Sequence, residues 1–332
     1  MQVTSREALI TALEGGQPPG RVPHFELVFY LTMEAFGRVH PTHRAFHQWD
    51  QMSPGERDLH RRDMADLYVR SAARYEHSAI VFHKPAGWSK DNWDDPIRTL
   101  EAIRDLAGGQ YALFEQGDVT YDIPSGERMM EFVESLTDRP QEMKDYAHRE
   151  VEWALRRADK YRSAGVLDGF TLCCDYCFND GPFLSPAMLD EFVMPYLTSL
   201  TAGYREMGFY VIKHTDGNIM PILDALVATG PHALHSLDPQ AGVDIAEVKR
   251  RVGDRVCLIG NVNCGLLDTG SDQEVVESAR YALRHGMPGG GYVFSTSNCV
   301  YTGMSLARYE LMLDVWRREG NYPSPGRHIA SP

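Results

Sequence analysis

Short apolar runs ending in polar residues recur along this chain, separated by stretches with helical spacing. The runs Arg21–Phe29, Ser78–His83, Tyr111–Phe114, Gly169–Cys174, Phe209–His214, Ala233–Leu237, Val256–Gly260 and Tyr292–Thr296 read as eight strands. Between them, Met64, Leu67, Tyr68 and Ala72 fall near one helical face, predicting a helix from about Pro54 to Tyr75. Thr4 or Ser5 can cap a first helix that ends at Gly15-Gly16. Ser185 and Pro186 suit the N-cap and first position of a helix running to Met207. Further helices are expected over 140–163, 219–228 and 305–319, and a small hairpin extension over 118–123. Strands alternating with helices imply a parallel sheet, and eight units predict an α/β fold of the (β/α)8 TIM-barrel type. The alternative is an open, doubly wound sheet, which normally carries a glycine-rich phosphate turn after its first strand. None follows Phe29. The barrel is expected to occupy 1–322 as one domain, with 323–332 a disordered tail.

Composition narrows the partners. The formal charge of −13 over 332 residues argues against nucleic acid and against anionic membrane surfaces. No apolar run approaches the roughly 20 residues of a spanning helix, and the N-terminus has no apolar signal core. The six cysteines show no framework spacing, so free thiols and a cytoplasmic, reducing setting are expected.

In such barrels chemistry gathers where strands end. Glu26 lies on the first predicted strand, and His83, Asp175, His214, Asp216, Asp238, Asn261 and Cys299 fall at or after predicted strand ends. Each alone reads equally well as a loop hydrogen-bonder, and Cys299 as a small buried hydrophobe. Together, an imidazole, carboxylates and a thiol form a set that suits zinc. Cys174 and Cys177 have redox spacing but follow a strand instead of opening a helix, which favours a structural role. Gly289-Gly290-Gly291 precedes a strand, so it belongs to a tight turn at the opposite face of the barrel.

Taken together, His214-Thr215-Asp216-Gly217, the Gly260-Asn261 turn, the Gly289 to Phe294 entry and the helix after Cys299 carry a resemblance. So does Phe183-Leu184-Ser185-Pro186 with Met194-Pro195-Tyr196. The chain resembles the uroporphyrinogen decarboxylase superfamily, which includes zinc-dependent, corrinoid-linked methyltransferases. The resemblance implies a zinc held by His214, Asp238 and Cys299, with Asp216 or Glu26 as alternative acids. It implies catalytic work for Asp175, His214 and Asp216, and a pocket drawn from Glu26, Phe29, His83, Tyr176, Asn179 and Asn261. Phe25, Tyr30 and Phe178 extend its aromatic lining. Thiol-methylating members carry His-x-Cys where this chain has His214-x-Asp216, and the decarboxylases place substrate-holding arginines near the first strand, where the stretch Pro23 to Tyr30 of this chain has none. The expectation is therefore a zinc-dependent O-demethylase-type methyltransferase. Its partners would be a small methoxylated aromatic donor, a corrinoid (cobalamin) on another protein, and a second copy of the chain in a homodimer. A metal-free decarboxylase or lyase of the same fold and a non-catalytic corrinoid- or ligand-binding module are the alternatives.

Overall fold

The computed structural model describes residues 3–323. Its strands are β1 Ala79–Phe82, β2 Ala112–Gln116, β3 Gly169–Leu172, β4 Cys177–Phe178, β5 Gly181–Pro182, β6 Tyr210–His214, β7 Ala233–His235, β8 Cys257–Val262 and β9 Tyr292–Thr296. Seven of them form one parallel sheet in the order β1-β2-β3-β6-β7-β8-β9. The predicted first strand is not a ladder strand. It is an extended segment laid between the two edges of the sheet: Phe294 N donates to Pro23 O (2.9 Å) and Ser78 N to His24 O (2.6 Å). His24 bridges Phe294 in parallel and Phe29 bridges Val300. Pro23 has no N–H to give, so the segment completes the ring of a (β/α)8-type barrel through scattered bonds.

Alternation along the strands sorts side chains into two cores. Phe25, Leu27, Ala79, Val81, Ala112, Phe114, Ile212, Ala233, Ile259 and Val293 form one cluster, the barrel interior. Leu9, Ala12 and Leu13 of the helix Ser5–Leu13 join it, so that helix plugs the lower end. The neighbouring positions, such as Phe170, Val211, Leu234 and Phe294, pack outward against the helices. The glycine triplet lies at the plugged end: Gly291 N donates to Gly16 O (2.9 Å), and a Cβ on Gly290 would sit 2.5 Å from that same oxygen.

Two predicted elements change. The helix expected over 186–207 is two, Pro186–Phe192 and Met194–Glu206, because Pro195 must start a helix and cannot continue one. The hairpin expected over 118–123 is a loop, held by Asp118 and by Ile123 N donating to Asp175 O (3.2 Å). The only hairpin pairing among the described strands is β4 with β5, just after Asp175. Of the expected tail, 324–332 lies outside the described residues. All six cysteines are free thiols, and no described helix is long and apolar enough to cross a membrane.

Candidate metal centre at the mouth of the barrel

β6 reads Tyr-Val-Ile-Lys-His, and its alternation sends Ile212 and His214 inward and Val211 and Lys213 toward the helix layer. An ammonium in that layer needs a partner. Lys213 Nζ donates to Asp118 Oδ2 (2.9 Å) and to the Cys174 carbonyl (2.8 Å), 4.0 Å from the Tyr176 ring centroid. Both side chains of the pair are fully buried. Burial alone would raise the Asp118 carboxyl, but Lys213 and bonds from Thr120 and the Cys174 N–H outweigh it and bring it down to about 2. The pair thereby ties the loops after β2 and β3 to β6, and the second of those loops carries Asp175.

His214 ends β6 facing the mouth. Its Nε2 lies 3.6 Å from Asp216 Oδ1 and 4.0 Å from Asp175 Oδ1. Asp175 Oδ1 also accepts the Asp216 N–H (2.8 Å). Asp216 is held from the segments that follow β7 and β9: Ser236 Oγ donates to its Oδ1 (2.7 Å) and Asn298 Nδ2 to its Oδ2. Gly217 lets the chain turn away at φ 80°, where a Cβ would sit 2.4 Å from the Cys177 carbonyl oxygen. Behind His214, its Nδ1 lies 2.8 Å from Nδ1 of His235, its register partner on β7.

The electrostatics ask for a cation. Burial, aided by the charge of Lys213, lowers His214 to about 3, so the imidazole is neutral and has a lone pair to offer. Burial and the Asp216 charge push Asp175 up to about 6, against the bond from the Asp216 N–H. Burial likewise raises Asp216, against the bonds from Ser236 and Asn298. Among the described residues, Asp175, His214 and Asp216 are the set whose ligand atoms all lie within 4.8 Å of one another. One imidazole and two mutually repelling carboxylates fit a divalent cation that accepts N and O donors, zinc included.

The other predicted residues are placed differently. Asp238 Oδ1 accepts the Gln240 N–H (2.9 Å) and caps the turn Pro239–Ala241, so it stands outside the three-residue set. Cys299 is also outside that set. It lies beside Asn298, its thiol pushed up first by burial and then by Cys173 and Asp216. Glu26 is buried on β9, where its Oε2 accepts from Ser295 Oγ (3.0 Å), Thr296 Oγ1 (2.6 Å) and Thr296 N (3.2 Å). Phe29 packs on Tyr75 and Tyr309 in the helix layer, and Phe25 fills the barrel interior. His83 Nε2 meets the Leu27 carbonyl (3.0 Å). Tyr176 is a buried floor under Lys213 and Thr120, not a pocket wall. Asn261 is buried with Nδ2 on the Leu237 carbonyl (2.9 Å), while Asn179 and Phe178 stand exposed on the β4–β5 hairpin. His235, Ser236, Asn298, Asp118 and Lys213 support the cluster without belonging to any motif of the sequence. Only Lys213 carried a signal, a charge inside an apolar run.

A profile of the family described as Uroporphyrinogen decarboxylase (URO-D) matches residues 125–319, more than half of the chain. This chain belongs to the uroporphyrinogen decarboxylase family. Similar members include the uroporphyrinogen decarboxylase of Thioalkalivibrio sulfidiphilus, 29% identical over 150 residues, which are 42% of this chain and 40% of that protein. That of Sodalis glossinidius is 31% identical over 131 residues, 36% of this chain and 34% of the relative. The match thus spans well under half the length of these relatives. A methyltransferase from Methanosarcina mazei superposes over 96% of this chain and 99% of its own, with a TM-score of 0.72 and 16% identity. At that identity the likeness is one of fold. The matched region of the family profile holds Asp175, His214, Asp216, Ser236 and Asn298, the whole of the cluster.

Proposed function

We propose that this family member is a zinc-assisted methyltransferase that takes the methyl group of a small methoxylated aromatic substrate to a corrinoid on a partner protein. The observation that carries the reading is the Asp175–His214–Asp216 cluster at the mouth of the barrel. A site lined by carboxylates repels a polycarboxylate substrate, and the nearby ammonium of Lys213 is committed to Asp118 and to the Cys174 carbonyl. An aromatic surface adjoins the cluster. The Tyr301 hydroxyl donates to Asn298 Oδ1 (3.0 Å), the amide that holds Asp216, and the Tyr301 and Tyr30 rings are 6.4 Å apart.

The protein's own groups have separate tasks in this reading. His214 offers the Nε2 lone pair, and Asp175 and Asp216 offer carboxylate oxygens. Ser236 and Asn298 fix the rotamer of Asp216, while Lys213 and Asp118 fix the loop that carries Asp175. Tyr30 and Tyr301 orient the ring of the substrate. Zinc held there supplies a Lewis acid for the ether oxygen, and the partner's corrinoid supplies the acceptor for the methyl group. The ether C–O bond would break with its pair left on the oxygen, the methyl would pass to an electron pair supplied by the reduced corrinoid, and the oxygen would take a proton from solvent to end as a phenol.

Metal analysis tests the reading. Purified wild type is expected to retain about one zinc per chain after zinc addition and dialysis, and His214→Ala to lose it. Wild type that stays metal-free would remove the mechanism. Turnover of a carboxylated substrate that persists in chelator would instead favour a metal-independent decarboxylase of the same family.

A further inference from the structure

The short contact between the two histidines has a chemical consequence. Two imidazole Nδ1 atoms 2.8 Å apart are in hydrogen-bond contact, so one carries the proton and the other accepts it. The contact is enforced by the fold: His214 and His235 are register partners on neighbouring parallel strands, and both are buried. If His214 is the donor, its Nε2 is a bare lone pair aimed at the gap between Asp175 and Asp216. If His235 is the donor, the Nε2 of a neutral His214 carries the proton, and no cation can be bound there.

His235 has one other feature. Its Nε2 is buried and has no hydrogen-bond partner. A histidine kept only for packing is normally satisfied at both nitrogens when buried, and an apolar residue would fill the same position without leaving a polar atom stranded. Ala233, two residues back on the same face of β7, is such an apolar position. The polar identity of residue 235 therefore points to its one contact, the Nδ1 of His214.

We propose that His235 is a positioning residue that accepts the Nδ1 proton of His214 and so presents the Nε2 lone pair of His214 to a divalent cation held with Asp175 and Asp216. This rests on the zinc reading above. Metal-bound histidines generally donate their second ring N–H to a carboxylate, carbonyl or water. Here that acceptor is a second imidazole, on the neighbouring strand.

The experiment has two arms. Two-bond 1H–15N correlation spectra of zinc-loaded, 15N-histidine-labelled wild type are expected to show His214 as the Nδ1–H tautomer and His235 with an unprotonated Nδ1. Zinc affinity is then measured by chelator competition in wild type, His235→Asn and His235→Leu, with thermal unfolding as the check on folding. An asparagine side-chain oxygen can stand where Nδ1 stood, so His235→Asn is expected within about threefold of wild type, whereas His235→Leu is expected to weaken zinc by about 10–100-fold. A folded His235→Leu protein that binds zinc as tightly as wild type overturns the proposal. So does a zinc-loaded His214 that lacks the Nδ1 proton. The spectra need no variant, so they decide the matter even if His235→Leu does not fold. Wild type that takes up no zinc would instead remove the metal reading itself.

Discussion

Glu26 shows how burial decides the charge of a single side chain. It lies 4.0 Å from His24 Nδ1, a distance that suggests an ion pair. Burial argues otherwise on both sides. It pushes the Glu26 carboxyl up to about 8 despite bonds from Thr296 and Ser295, and lowers His24 to about 4 despite the bond to the Phe294 carbonyl. At pH 7 both are neutral, and His24 Nδ1 is already engaged by the Phe294 carbonyl at 3.0 Å. Glu26 Oε1 has no protein partner and borders a cavity of about 30 Å³ shared with Thr32, Tyr68 and His77, enough for one water. The sign of the pH effect follows. Below the unfolded value of 4.5 the carboxyl is protonated in both states, and its contribution is fully present. As pH rises from 4.5 to about 8 the unfolded chain ionises first, and stability falls by about 1.4 kcal/mol per pH unit from this group. Glu26→Gln should therefore match wild type within about 1 kcal/mol at pH 5 and exceed it at pH 9. Urea denaturation at both pH values measures the difference, which cancels the opposite slope of His24. Parallel stability curves for the two proteins would show that Glu26 is ionised in the fold.

At the scale of elements, the loop carrying Asp175 is held by a buried ion pair on the helix side of the sheet. Removing one partner strands the other: Asp118→Asn leaves the Lys213 ammonium buried, at a cost of about 3–5 kcal/mol. Replacing both, as Asp118→Asn with Lys213→Met, should recover most of that loss, because a buried pair is often matched by apolar residues. A double-mutant cycle in urea at pH 7 checks this, and a single Asp118→Asn variant losing under about 1 kcal/mol would show that the pair is not the tie. Acid gives a second view of the same pair. The folded value of about 2 lies below the unfolded 3.8, so its contribution is present above pH 3.8 and fades as pH falls toward 2. This tie also marks what the sequence could convey. Period and capping made the seven ladder strands of the barrel open to physical reading, because those signals are local, whereas the stretch up to Met207 reads as one helix through the break before Pro195. Lys213 showed in the sequence as a charge in an apolar run. Its partner, 95 residues away in a loop with no period, did not. His235 was hidden for a related reason: a histidine at a strand end has many uses, and only the β6–β7 register brings it to His214.

For the whole molecule, the barrel has one seam. β6 through β9 pair in continuous ladders, with five registered pairs between β8 and β9 alone. The backbone of segment 21–29 meets β9 and β1 through one bond each, Phe294 N to Pro23 O and Ser78 N to His24 O, with Val300 N to Val28 O beyond the end of β9. The sequence pattern of 21–29 is that of a strand, and its apolar alternation does fill the barrel interior with Phe25 and Leu27. What the pattern did not convey is that a strand can be packed like one without being bonded like one. Pro23 and the polar demands of His24 and Glu26 divert the backbone from a ladder. Side chains therefore carry this seam, through packing, through the bonds of Glu26 to Ser295 and Thr296, and through Trp316 Nε1 donating to the Val22 carbonyl (2.9 Å) from the last helix. Cooperative units open first where backbone bonds are sparse. Native-state hydrogen exchange should accordingly show the amides of Ser78 and Phe294 exchanging through a local opening at lower free energy than those of Ile259 and Ile212 within the ladders. Trp316→Phe keeps an aromatic ring but removes the indole N–H and part of the packing on His24 and Phe294, so it should speed exchange at Phe294 while leaving Ile259 unchanged. Uniform protection at all four amides, equal to global stability, would mean that the seam is closed as firmly as the sheet, and that the barrel opens only as a whole.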